Sequence, residues 1–299
     1  MKLVSTILLF AVTADCSRAV IFTNSDDADT FVRSNSPAAN YGGAGALSVS
    51  GNTATNTSSV AMGIADTFLR FNTAAMVASF NLLFGAGNWV VSSAKLQVTE
   101  VAVPNNLIFD RGVGRFNIFW IADDTWTEGT GTPMAPTTDG IAFNDETTLL
   151  TNTVNLGVFT NTGLNFTNLF SLALPAAFTS DLSAGGEVGF YLTAIDPQTG
   201  MTFNSRSFGT TAARPFLEIS AAPKPGVTSI SVSGTNVVFS ATNGATGGTY
   251  YILASTNVSL PLSQWTIVAT NVLSANGNFS ITATNAANGS QQFFILQTQ

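Results

Sequence analysis

Two short acidic stretches hold the residues best suited to chemistry. Asp26, Asp27 and Asp29 stand just ahead of a strand-like run. Carboxylates at alternate positions such as Asp27 and Asp29 can converge on a hard cation, and calcium is the ion such oxygen ligands suit. The plainer alternative is a solvated loop whose aspartates only start a strand. The second stretch is Asp123, Asp124, Trp126 and Glu128. A ring can stack on a sugar face while Asp124 and Glu128 accept bonds from its hydroxyls, and an indole loses little rotamer entropy in doing so. The structural alternative makes Trp126 a plug at a core edge, with Glu128 paired to Arg70 or Arg206 because a buried charge needs a partner. Tyr41, Trp89 and Tyr191 are further candidate platforms, Tyr41 first among them for a glycan site.

What is missing narrows the chemistry further. The chain has no histidine, and its single cysteine is Cys16. Imidazole-based nucleophilic catalysis and the usual zinc sites therefore lack their ligands. Glycosidase chemistry needs only two carboxyls held across a sugar, and Asp123, Asp124, Glu128, Asp145, Glu146 and Glu187 are available. No spacing fixes any two of them opposite each other, so no catalytic residue is assigned. A formal charge of -7 repels nucleic acid and anionic lipid alike. The 23 Phe against 4 Tyr and 4 Trp indicate core packing rather than ligand contact.

The elements that position these residues read as β. Residues 1–19 carry Lys2, an apolar run from Leu3 to Val12 and the small-residue end Ser17-Arg18-Ala19, the layout of a secretory signal. The run is too short to span a bilayer, and no later one reaches that length, so no membrane insertion is expected. Asp15 before Cys16 argues against lipidation. From residue 20 onward, short alternating segments separated by Gly, Asn, Thr and Ser give the pattern of antiparallel sheets with one wet face. Ala94, Leu96 and Val98 face one way and Lys95 and Gln97 the other; Leu69 and Phe71 oppose Arg70; Leu217 and Ile219 oppose Glu218. Phe116 to Ile121 and Val188 to Ile195 are apolar on both faces, which marks central strands or strands lying under loops. Ala74 to Phe84 is the one predicted helix. Asn56 and Asn165 sit in glycosylation sequons within wet, Thr-rich stretches. Pro223-Lys224-Pro225 interrupts any ladder and sets a boundary between residues 20–222 and 223–299. Beyond it, five or six short strands make an Ig or fibronectin-like sandwich the economical reading.

The first domain resembles the DNRLRE domain, which is similar to carbohydrate-binding module family 96. Five segments carry the likeness: DADTFVRSNSPAANYGG from Asp27, TFLRFN from Thr67, SSAKLQV from Ser92, DDTWTEGTG from Asp123 and FNSRSFGTTAARPFLEIS from Phe203. The family's eponymous hexapeptide is absent, and a looser stretch from Pro133 to Phe143 replaces an expected Thr-Trp segment. The resemblance implies a jelly-roll-like sandwich, a secreted or cell-surface location, and binding to polysaccharide or a structural role. The last domain looks like small modules that end many large exported bacterial proteins, through GTYYILASTN from Gly248 and LPLSQWTIVATN from Leu260. The expectation is a secreted, non-catalytic polysaccharide-binding or surface-associated protein. The alternatives are a purely structural envelope, matrix or adhesion component and, further off, a polysaccharide-degrading enzyme.

Overall fold

A computed structural model describes residues 19–56, 59–61, 63–100, 112–161, 167–244, 247–275, 277–287 and 292–298. Residues 1–18 of the expected signal, Cys16 among them, and Asn165 lie outside the described residues. The chain divides into two compact units at Ala221/Ala222, each an all-β sandwich.

In the first unit the strands are β1 (Val20–Ser25), β2 (Ala28–Arg33), β3 (Ala46–Ser50), β4 (Ala65–Asn72), β5 (Trp89–Thr99), β6 (Gly114–Ile121), β7 (Thr153–Asn161), β8 (Thr167–Leu172), β9 (Glu187–Ala194), β10 (Gly200–Asn204) and β11 (Phe216–Pro223). One sheet runs β1-β11-β5-β8 and the other β10-β3-β4-β9-β6-β7, with β2 also paired to β4. The recorded strand pairs are antiparallel.

The small sheet behaves as its alternation dictates. Ala94, Leu96, Val98, Leu217 and Ile219 are buried between the sheets, while Lys95 on β5 meets Glu218 on β11 at 2.8 Å on the other face. The facing sheet supplies Phe31, Leu47, Leu69, Phe71, Phe116, Phe190 and Phe203. Each such side chain contributes about 1.5–3 kcal/mol by leaving water, and this core holds the unit without a disulfide. The larger sheet departs from simple alternation, because Phe68 and Tyr191 on its other face are buried too. They belong to a second cluster with Ala28, Val32, Ile121, Trp126, Ile141 and Leu149. The β6–β7 connection folds over that face, so the doubly apolar strands β6 and β9 are central and lie under loops.

Among the described residues three short helices interrupt the strands: α1 (Ala74–Phe84), α2 (Glu146–Leu149) and α3 (Ala176–Ala184). In α1 only Met76 and Phe80 are buried. Phe80 packs on Trp89 at 5.1 Å, and the Trp89 indole donates to Asn81 Oδ1 at 2.8 Å. The helix stops at Gly85, whose φ of 85° suits glycine. Helix α3 was not expected from the sequence. Its start at Pro175 and its left-handed stop at Gly185 are local signals that a window of nine residues with two buried apolar side chains leaves weak.

The second unit pairs the sheets β12-β13-β16 and β15-β14-β17, formed by β12 (Gly226–Ser233), β13 (Asn236–Gly244), β14 (Thr249–Ser255), β15 (Thr266–Val272), β16 (Gly277–Ala283) and β17 (Phe293–Thr298). Val237, Phe239, Tyr250, Ile252 and Ile281 form its core.

Candidate functional site

Asn40 is fully buried and organises the loops that cover the larger sheet. Its amide donates to the carbonyls of Glu128 at 2.7 Å and Ile141 at 2.9 Å. Its Oδ1 accepts from Gly42 N at 2.9 Å and Gly131 N at 3.3 Å. Three chain segments therefore meet on one side chain. The glycines around it allow that approach: a Cβ on Gly131 would stand 1.9 Å from Asn40 O, and one on Gly42 2.2 Å from Glu128 O. Composition gave no sign that Asn40 differed from the chain's many other asparagines. Its signal was the glycines that follow it and those that follow Glu128.

The second stretch of candidate residues is held by this knot and by two arginines. Trp126 is only 5% exposed. It packs edge-on to Phe68 at 5.9 Å, with the Arg70 guanidinium 5.2 Å from its ring. Arg70 Nη1 also donates to Trp126 O at 2.8 Å and Asp124 O at 3.1 Å. Glu128 accepts two bonds from the Arg206 guanidinium, one of them at 2.7 Å from Nε. The fork-to-fork pair is the geometry arginine favours. Asp123 turns to its own loop, accepting from the Thr125 hydroxyl at 2.7 Å. The stretch therefore takes the structural alternative, with Glu128 paired to Arg206, and not the stacking arrangement. Trp126 is a plug, Asp124 and Glu128 face different neighbours, and Tyr41, 3% exposed, stacks on Phe31 at 4.8 Å. Trp89 and Tyr191 are buried as well. Indole and phenol rings contribute more by filling this core than they would at the surface, so the aromatics were drawn inward.

The first acidic stretch divides. Asp27 lies 3.3 Å from Arg70, which also approaches Glu187 at 3.5 Å. Asp29 instead accepts from Arg206 N at 2.5 Å through Oδ2, and its own N donates to Glu128 at 3.2 Å. Its carboxyl neighbour is Asp26, so Asp27 and Asp29 do not form the expected pair. Burial, then the Asp29 charge, pushes the Asp26 carboxyl up to about 10. Burial also raises Asp29, to about 6. Both Asp26 oxygens and Asp29 Oδ1 lack hydrogen-bond partners.

A second buried carboxyl pair joins β4 to α2. Burial followed by the Asp66 charge pushes Glu146 up to about 9, and Asp66 rises to about 6 through burial. The two acids meet directly beside Tyr191 and Thr193, a contact that places one shared proton between them. They touch within protein and are not spaced across a cleft.

On the outer side of α2 opens a groove of ≈ 500 Å³. Its lining includes Thr125, Trp126, Thr138, Asp139, Asp145 and Thr148. Asp139 is fixed by the hydroxyls of Thr130 at 2.7 Å and Thr137 at 2.5 Å. Those bonds, Thr137 first, hold its carboxyl down to about 2. Asp145 accepts from Ala142 N at 2.9 Å. Among the described residues no helix is long and apolar enough to cross a membrane.

No family model and no curated protein matches the chain. Among solved structures, a Ruminococcus gnavus β-glucuronidase in complex with uronic isofagomine is similar at 9% identity and TM-score 0.26, over 93% of this chain and 40% of that one. Another structure of a Ruminococcus gnavus β-glucuronidase aligns at 9% identity and TM-score 0.24, over 97% and 44%. The chain thus spans about two-fifths of the glucuronidases' length, and TM-scores this low bear on neither fold nor activity.

Proposed function

We propose that this is a secreted, non-catalytic protein whose first sandwich contacts polysaccharide through the groove beside α2. The observation that carries this reading is the groove's lining. Four threonines, Thr125, Thr127, Thr138 and Thr148, line it together with the carboxylates of Asp139 and Asp145, beside the edges of the buried Trp126 and Leu149. Sugar hydroxyls need donors and acceptors of this kind, with a small apolar patch for the ring face. A groove this shallow binds one ring weakly, so affinity arises from repeated contacts along a polymer.

Affinity electrophoresis against neutral and acidic polysaccharides tests the reading, using the protein and its T138V/T148V variant, which changes two exposed hydroxyls of the lining. Retardation by one glycan, lost in the variant at unchanged melting temperature, supports the groove. Retardation that survives the variant moves the contact elsewhere. No retardation across the panel favours a second reading, a structural envelope or matrix component. One observation favours that reading already: Tyr41, Trp89, Trp120, Trp126 and Tyr191, all the Trp and Tyr of the first sandwich, are buried.

A further inference from the structure

We propose that the second sandwich pairs with a second copy of this chain through strand β12, edge to edge across a two-fold axis. The three apolar side chains of β12 lie opposite core residues of β13: Val227 opposite Ala241, Ile230 opposite Phe239 and Val232 opposite Val237. Residues directly opposite in an antiparallel pair share a face, so all three point to the core side of the sheet. Ala241, Phe239 and Val237 are buried, yet Val227, Ile230 and Val232 are 39%, 55% and 68% exposed. The row is core-facing and uncovered. On the other flank β15 comes against β16 and closes the sandwich. Among the described residues β12 is also an edge, since in the order β12-β13-β16 it bonds only β13.

Edge strands are ordinarily protected by a charge, a proline or a bulge. In β12 the ladder is irregular between Val227 and Ser229, but the run from Ser229 to Ser233 is regular and carries neither charge nor proline. From Pro223 to Gln299 the only charged side chain is Lys224. That balance selects the occupant. A charged partner strand would be stripped of water against an edge that holds no opposite charge, whereas a second copy brings none. The sequence is also self-complementary. With Ser231 on the two-fold axis, Ile230 of each copy lies opposite Val232 of the other on the apolar face, and Ser229 lies opposite Ser233 on the polar face. Centring the axis on Val232 would set Ile230 opposite Gly234, and centring it on Ile230 would set Val232 opposite Thr228, so each loses apolar pairing. The seam is short beside the roughly 1,200–2,000 Å² of a stable complex, so association is weak and depends on concentration.

Sedimentation velocity of the whole protein over a dilution series tests the pairing. The expected result is a mass that rises toward two chains with concentration. I230K/V232K places charge on side chains already open to water, so it should hold the protein at one chain with its melting temperature unchanged. Two cysteine variants, made in a chain carrying C16S, read the register. S231C should form a disulfide-linked dimer on oxidation, because directly opposed Cα atoms stand about 4.5–5.5 Å apart. S229C should not, because this register sets it four positions from its own copy. Should the lysine variant fail to fold, the cysteine pair decides. A mass of one chain at the highest soluble concentration would overturn the proposal. A dimer that survives I230K/V232K, or S229C cross-linking as readily as S231C, would overturn it too, by placing the contact elsewhere. None of these variants touches the groove beside α2, so the interface and the glycan reading stand or fail separately.

Discussion

Replacing Trp126 with alanine measures whether that ring is a plug or a platform. At 5% exposure against Phe68, Ile141 and Leu149, the indole removes on the order of 150–250 Å² from water. At about 25 cal/mol per Å² this gives roughly 4–6 kcal/mol as an upper figure. Loss of the Arg70 contact at 5.2 Å adds about 0.5–1 kcal/mol. Against this, Trp126 Nε1 is buried without a partner, and deleting it recovers about 1 kcal/mol. The net expectation is a loss of about 3–4 kcal/mol, in line with other buried Trp truncations. For a unit of this size that is roughly 10 °C of melting temperature. W126F should retain most of the stability, because it keeps a ring in the cavity and omits the unpartnered N–H. Thermal melting followed by near-ultraviolet circular dichroism reads both. A loss below about 1 kcal/mol for W126A, coupled with lost glycan retardation, would refute the buried-plug argument.

N40A should cost about 3 kcal/mol or more, since four hydrogen bonds go at once and leave the carbonyls of Glu128 and Ile141 without this donor; urea unfolding measures it. G131A should destabilise comparably, because its Cβ would meet backbone 1.9 Å away, and hydrogen exchange should locate the loosening at Asn40 and Gly131. R206A should cost only about 1–2 kcal/mol: it strands Glu128, but the Arg206 side chain is 41% exposed and water can replace it. The Asp66–Glu146 pair makes stability depend on pH. Glu146 has a folded-state value near 9 against an ordinary 4.5, so its contribution is complete below about pH 4.5 and is lost as pH rises toward 9. Unfolding of E146Q should show a flatter profile between pH 5 and 9 than the unsubstituted protein, and equal slopes would refute the shared proton.

Segments far apart in the chain touch in the fold. Asp29 from the first segment meets Arg206 from the last and Glu128 from the fourth. Arg70 from the second bonds the backbone of Asp124 and Trp126, and Lys95 from the third pairs with Glu218. Most of these polar residues are clamps between strands and covering loops. A loop laid over an apolar sheet face must have its own polar groups satisfied.

Local chemistry determined much of this protein. Alternation placed Leu96, Leu217 and Leu69 on inward faces, unbroken apolar runs marked β6 and β9 as central, and Ala74–Phe84 formed a helix bounded by Gly85. The absence of histidine left imidazole-based catalysis without its base. Only the tertiary structure decided that Trp126 and Tyr41 are buried, that Asp29 partners Asp26 instead of Asp27, and that Glu146 lies on Asp66. The burial of Trp126 and the contact of Glu146 with Asp66 depend on how the β6–β7 connection drapes over the larger sheet. A pairing between residues tens to nearly two hundred positions apart leaves no periodicity in the chain, and its energy exists only once the intervening backbone has folded.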